Sequence, residues 1–295
     1  MKIATQEISL PLLKEKGIRL FIKRIDQIHK YVSGNKWFKL KYNLIEAKRK
    51  EVDLILTFGG AYSNHISATA FLANEHGFNS VGIIRGEKCF PLNHTLSFAL
   101  EKGMKIHYLN RSDYRLKHTD EYLKDLRAKF GDFYLIPEGG ANNFAIQGTE
   151  EILELHDNQD YICCPVGTGV TISGIINSKN KNQHVIGFSA IKGFNLLEKK
   201  IEDWVDKNNW MLLDDYSLGG YAKLNNELVQ FINYFFETQN IPLDIVYNGK
   251  MMFGIMDLVA TDYFPKGSSI LAIHTGGIQG NVGMNERFGF KLPIE

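Results

Sequence analysis

A short apolar run followed by an amphipathic stretch recurs along this chain, and that alternation limits the folds open to it. The runs are Leu54–Phe58, Ser80–Ile84, Lys105–Leu109, Phe133–Ile136, Tyr161–Val166, Val185–Ser189 and Ser269–His274. They are brief and rich in Val, Ile and Phe, as strands covered on both faces should be. Helical segments lie between them. One is predicted from Asn64 to His76, stopping at Gly77, and another from Asn93 to Lys102, stopping at Gly103. A third follows Asn143 and carries Ile146, Ile152 and Leu155. Strand–helix alternation of this kind predicts an α/β protein with parallel sheets. The 295 residues allow one large or two ordinary domains. No Pro/Ser-rich linker divides them, so the pattern leaves one wide sheet and two smaller ones both open.

Charge and cysteine usage narrow the function classes. With 34 basic against 33 acidic residues there is no wide basic face for nucleic acid. Basic residues do gather between Lys36 and Lys50, interleaved with apolar ones at helical spacing. They read as a solvated helix face, of which Lys39 and Lys41 are examples. The opening MKIATQEISLPLLKEKG lacks the apolar core of a signal peptide, and no run approaches the roughly 20 apolar residues of a membrane span. Three cysteines, two of them adjacent, do not make a disulfide framework. A cytoplasmic protein with no membrane partner is expected, with Cys163 and Cys164 as small core residues. The nine histidines show no metal-ligand spacing, so no metal is expected, and there is no G-x-S-x-G elbow.

Chemistry-bearing residues concentrate at four glycine-containing junctions: Ser33-Gly34-Asn35-Lys36, Gly59–His65, Gly167–Thr171 and His274–Gly277. Three follow an apolar strand directly, at the strand ends where open α/β sheets bind ligands. In Gly167-Thr168-Gly169-Val170-Thr171 two glycines let several N–H groups converge on an anion beside two hydroxyls and a helix start near Thr171. Without a following Gly-Lys-Ser/Thr it is not a Walker loop. Neutral donors alone suit a cofactor monophosphate better than a triphosphate with magnesium. Lys36 precedes a helix whose apolar positions are Trp37, Leu40, Leu44 and Ala47. A cation there is disfavoured by the helix dipole, and if also buried it would be a depressed-pKa lysine of the kind that bonds carbonyl carbons. Ser63-Asn64-His65 opens the next helix, either as a plain N-cap or as a cradle for a carboxylate.

In this order and spacing the four motifs resemble the 1-aminocyclopropane-1-carboxylate deaminase and D-cysteine desulfhydrase family, from about Ile18 to Gly283. The resemblance implies a fold type II, tryptophan-synthase-β-like enzyme: two parallel-sheet α/β domains with pyridoxal 5'-phosphate between them. The smaller domain would run over residues 38–160, and the larger would combine 1–37 with 161–295. Lys36 would bond the cofactor covalently and move the α-proton of a small amino acid. Asn64 would reach the cofactor's phenolic oxygen, and Gly167, Thr168, Gly169, Val170 and Thr171 its phosphate. Ser63, Asn64 and His65 would hold the substrate, and Ser63 would also shuttle a proton. Tyr221 and Tyr247, 26 residues apart, match two active-site tyrosines. Pro137-Glu138-Gly139-Gly140-Ala141-Asn142 resembles a turn that faces the site. A homodimer is implied.

Three positions depart from the family pattern. Its deaminases carry glutamate where this chain has Asn248, beside the ring nitrogen, and Leu where it has Thr275; desulfhydrases have Thr. The tyrosine turn reads Gly-Gly-Tyr-Ala-Lys rather than Gly-Tyr-Gly-Val-Pro. A neutral partner leaves a weaker electron sink, which favours expulsion of a β-substituent over cyclopropane ring opening. Desulfhydrase-like elimination giving a 2-oxo acid and ammonia is therefore expected first, with the deaminase as the alternative. Asn248→Glu with Thr275→Leu is expected to narrow that preference. Asn248 merely capping the following helix is the bland alternative. A reading of another class is a non-catalytic protein that senses the cofactor or an amino acid.

Overall fold

The apolar runs pair into two separate sheets rather than one wide one. The structure, a computed structural model, describes residues 3–88, 90–193, 195–220, 222–223 and 225–294. The chain begins with β1 (Thr5–Ile8) and β2 (Arg19–Lys23), paired antiparallel. It then builds a four-stranded sheet from β3 (Leu54–Gly60), β4 (Asn79–Arg85), β5 (Met104–Leu109) and β6 (Tyr134–Ile136), all parallel in the order β5-β4-β3-β6. Finally β7 (Tyr161–Val166), β8 (His184–Ser189), β9 (Trp210–Leu213) and β10 (Ser269–Ile273) join the opening hairpin. That larger sheet runs β1-β2-β10-β7-β8-β9, parallel except at β1.

Period-two alternation sends successive side chains to opposite faces, and both faces of each sheet are covered. In the smaller sheet Ile55 packs toward Leu40, Leu44 and Leu72, whereas Leu56 and Phe58 pack toward Leu126 and Phe133. In the larger, Cys163 and Ala272 face Met251, Met252 and Ile255 of the helix Asn248–Ala260. Ile162, Cys164 and Leu271 face Ile172, Ile175 and Ile176 of the helix Val170–Ser178. Both cysteines are fully buried, as small core residues; Cys89 lies outside the described residues.

Three strands lack the apolar signature that marked the others. β1 exposes three of its four residues, β9 buries only Leu212, and β2 is flanked by Arg19 and Lys23. Lys23 is nevertheless fully buried, because Glu154 at 2.7 Å and Asp157 at 2.6 Å take its ammonium. Leu155, expected on an apolar helix side, is fully exposed, since the helix ends at Thr149 and a short 3₁₀ turn at Ile152. Among the described residues no helix is long and apolar enough to cross a membrane.

This topology brings the four junctions together at strand C-terminal ends. Gly34 (φ 70°) lies so close to the exit of β10 that a Cβ there would stand 1.9 Å from the Thr275 carbonyl oxygen. Only glycine allows that approach.

Candidate active site

Lys36 is the second residue of the helix Asn35–Arg49, inside the first turn rather than before it. Its Nζ donates to Asn35 Oδ1 at 2.7 Å. Burial of the amine pulls its pKa from 10.5 down to about 8, with the Asp244 carboxylate opposing the shift. At pH 7 about a tenth of such a side chain is neutral, against about 0.03% for an ordinary lysine. A reactive amine follows from placement alone.

Facing this turn is the Gly167–Thr171 loop, which leaves β7 and enters the helix Val170–Ser178 through a left-handed Gly169. Asn35 Nδ2 donates to Thr171 Oγ1 at 2.8 Å, which leaves the threonine's own hydrogen to donate elsewhere. Thr168 packs under the 138–140 turn, where a Cβ on Gly139 would stand 2.7 Å from its Cγ2. Lys39 corrects the reading of this helix as a solvated basic face. Only 4% exposed, it reaches toward Gly139 O at 3.4 Å and Thr168 Oγ1 at 3.5 Å. Burial, then the charge of Lys36, holds its pKa well below the usual lysine range. The anion cradle therefore has an amine beside its neutral donors, one that a bound anion would favour in its protonated form. Lys41 does lie at the surface, paired with Glu151 at 2.6 Å. The signal for Lys39 was its spacing: three residues on, it shares a helix face with Lys36. Replacing Thr168 or Thr171 by alanine is expected to weaken phosphate binding by about 1–2 kcal/mol each. Cofactor retention on dialysis checks this; unchanged retention in both variants contradicts the loop assignment.

Across the cleft, Ser63 caps the helix Asn64–Glu75, its Oγ accepting from the His65 and Ile66 amides at 3.2 and 3.4 Å. Asn64 Oδ1 is buried without a protein partner, and Nδ2 lies 2.8 Å from where a Cβ of Gly277 would stand. His65 is 2% exposed, with Nε2 2.8 Å from Thr57 Oγ1. Thr57 donates its hydrogen to Ile136 O, so the network assigns the ring hydrogen to Nε2 and leaves Nδ1 an unpartnered acceptor. Burial, reinforced by Lys36 and Lys39, pushes the imidazole pKa down to about 3. The ring is neutral at any working pH. A cavity of about 560 Å³ adjoins Asn64, Ser33 and Gly277, with His94 and Gln279 in its wall. A larger groove of about 770 Å³, beside Asn142 and Trp204, holds none of the expected cofactor or substrate residues.

The fourth wall comes from the turn before the helix Asn248–Ala260. The ring of Tyr247 lies against Gly167, its Cε1 3.1 Å from where a Cβ of that glycine would stand. Tyr221 lies outside the described residues. Asn248 does not cap its helix. Asp244 anchors the turn that leads into it, its Oδ2 accepting from the Val246 and Tyr247 amides at 3.1 and 2.9 Å, and its Oδ1 from Asn248 N at 2.9 Å. The Asn248 side chain is fully buried and fully engaged. Its Nδ2 donates to Asp244 Oδ1 at 2.5 Å and Gly276 O at 2.8 Å; its Oδ1 accepts from Thr275 N at 2.9 Å and Thr275 Oγ1 at 3.3 Å. Asp244, 2% exposed, was not singled out from sequence, and four residues before the helix it does not occupy the cap position.

One protein family, described as pyridoxal-phosphate dependent enzyme, matches residues 3–276. A Thermotoga maritima protein provisionally named a 1-aminocyclopropane-1-carboxylate deaminase is 32% identical over 302 residues, 94% of this chain and 95% of its own. The Arabidopsis thaliana mitochondrial bifunctional D-cysteine desulfhydrase/1-aminocyclopropane-1-carboxylate deaminase is 27% identical over 299 residues, 90% of this chain and 73% of its own. A crystal structure of an ACC deaminase homologue has a TM-score of 0.85 at 27% identity, covering 97% of this chain and 93% of that one. The residues present fit the group this family carries. A depressed-pKa amine, an anion loop with Lys39 beneath it, and an orphaned Asn64 carboxamide oxygen converge on one cleft. This chain belongs to the pyridoxal-phosphate-dependent enzymes, in the fold type II, tryptophan-synthase-β-like class.

Proposed function

We propose that the enzyme is a deaminating lyase that eliminates a β-substituent from a small amino acid, D-cysteine in the first instance. With D-cysteine and water the products are pyruvate, ammonia and hydrogen sulfide. When bound, pyridoxal phosphate withdraws electrons from the substrate's α-carbon. Lys36 holds the cofactor and then takes the α-proton, its lowered pKa suiting both tasks. Thr168, Thr171 and Lys39 hold the phosphate. Asn64 meets the phenolic oxygen, and the Ser63–His65 helix start meets the carboxylate. The second proton transfer falls to Tyr247, whose ring lies against Gly167, to Tyr221 or to Ser63.

The observation that carries the choice of reaction is the Asn248–Thr275 pair. Where deaminases of this family place a glutamate, this chain has an amide saturated by Asp244, Gly276 and Thr275. Asp244 in turn spends its oxygens on Val246, Tyr247 and Asn248. An uncharged amide at this position, in place of a carboxylate, suits departure of thiolate, which carries the electrons away itself. The second reading, 1-aminocyclopropane-1-carboxylate deaminase, is favoured by the names of the relatives. Residues 38–160 form the smaller domain in this proposal and the rest the larger, and the enzyme is a cytoplasmic homodimer. We expect D-cysteine or β-chloroalanine to be processed at least about tenfold faster than 1-aminocyclopropane-1-carboxylate, roughly 1.4 kcal/mol in barrier. An assay for 2-oxo acid decides it. Comparable rates return the deaminase to first place.

A further inference from the structure

Lys250 is a buried lysine that none of the roles above uses. Only 2% exposed, it leaves the first turn of the helix Asn248–Ala260 and donates to the carbonyls of Ser217 at 2.7 Å and Gly220 at 2.9 Å. Among the described residues no carboxylate forms a salt bridge with it; Asp244 is the charged group whose field it feels. Burying an ammonium costs much unless its hydrogens are engaged, and a methionine would fill the same space without that cost. The two carbonyls therefore need explaining.

They belong to two successive turns. Gly220 N donates to Ser217 O at 3.0 Å, and Lys223 N donates to Gly220 O at 3.1 Å. Each turn thus closes on a carbonyl that Lys250 also holds. The segment is strained: Leu218 and Ala222 have φ of 53°, flanking Gly219 and Gly220 at 93° and 124°. Residues bearing a Cβ persist in the left-handed region only where the surroundings over-determine them. Lys250 is the buried donor that meets two carbonyls of this segment.

We infer that Lys250 is a positioning residue that clasps the turn through the Ser217 and Gly220 carbonyls, and that the role proposed for Tyr221 depends on that clasp. This rests on the reading of Tyr221 as an active-site residue. The lysine acts through the turn and touches no reacting atom.

The test uses the holoenzyme and compares Lys250→Met, which keeps the stem and removes the donors, with Lys250→Arg. Amide hydrogen exchange over 216–223, cofactor absorbance, kcat and KM are measured together. In the Met variant we expect at least tenfold faster exchange in this segment, an unchanged cofactor band and at least a tenfold fall in kcat/KM. The Arg variant should recover part of both losses. Unchanged exchange in the Met variant overturns the clasp. Faster exchange with unchanged kcat/KM overturns the link to the site: the clasp then exists, but Tyr221 is not used. Should Lys250→Met fail to fold, Lys250→Gln, shorter and uncharged, takes its place in the same measurements. At least tenfold faster exchange at the Gly220 and Lys223 amides than in wild type supports the clasp, and wild-type exchange overturns it.

Discussion

Lys36→Ala is expected to lower turnover by about 10³-fold or more, roughly 4 kcal/mol in barrier, with little change in fold stability. The asymmetry comes from what the side chain does in the fold. It makes one hydrogen bond, to Asn35, and its charge is penalised by burial, so removing it relieves a cost as much as it loses a contact. The helix keeps its anchors at Phe38, Leu40 and Leu44. Neither Lys39 nor Lys250, the buried lysines nearest in sequence to the site motifs, can substitute. Lys39 reaches toward the Gly139 carbonyl and Thr168, and Lys250 toward Ser217 and Gly220. Steady-state assays beside thermal unfolding check both halves; substantial residual turnover, or a lost fold, contradicts the role.

Asn248→Glu is expected to destabilise the enzyme by about 3–5 kcal/mol, the cost of an unpaired charge in the interior. The new carboxylate would stand where the Asn248 amide now donates at 2.5 Å to Asp244 and at 2.8 Å to the Gly276 carbonyl, two acceptors that would repel it. This revises the expectation, drawn from the resemblance alone, that Asn248→Glu with Thr275→Leu narrows the substrate preference. The exchange needs Asp244→Asn as well, so that one carboxylate leaves as the other arrives. Thermal unfolding of the single variant against the Asp244→Asn/Asn248→Glu pair measures the coupling. Equal stability of Asn248→Glu and wild type would remove the network from the account.

Strand–helix alternation was legible because parallel strands covered on both faces must be apolar throughout, and seven were found that way. β1, β2 and β9 were not, since edge strands and those carrying buried ion pairs lose that signature. The antiparallel pairing of β1 has no trace in composition. At the site, Lys36, Ser63, Asn64 and the 167–171 loop were readable because chain breaks and caps leave glycines and hydroxyls in sequence. Lys39 and Asp244 were not. A lysine in a basic amphipathic helix looks solvated until the opposite sheet is in place, and only tertiary packing shows that the 167–171 loop and the 138–140 turn lie over it. Asp244 precedes its helix by four residues, and its bonds to Asn248 depend on a turn that spacing alone does not reveal.

The most direct test of the central claim is to reduce the purified enzyme with borohydride, digest it and locate the cofactor-bearing peptide by mass spectrometry. We expect a single modified lysine, Lys36, in the stretch Ser33-Gly34-Asn35-Lys36-Trp37. Modification at Lys39 or Lys250 instead, or no fixed cofactor at all, would contradict it.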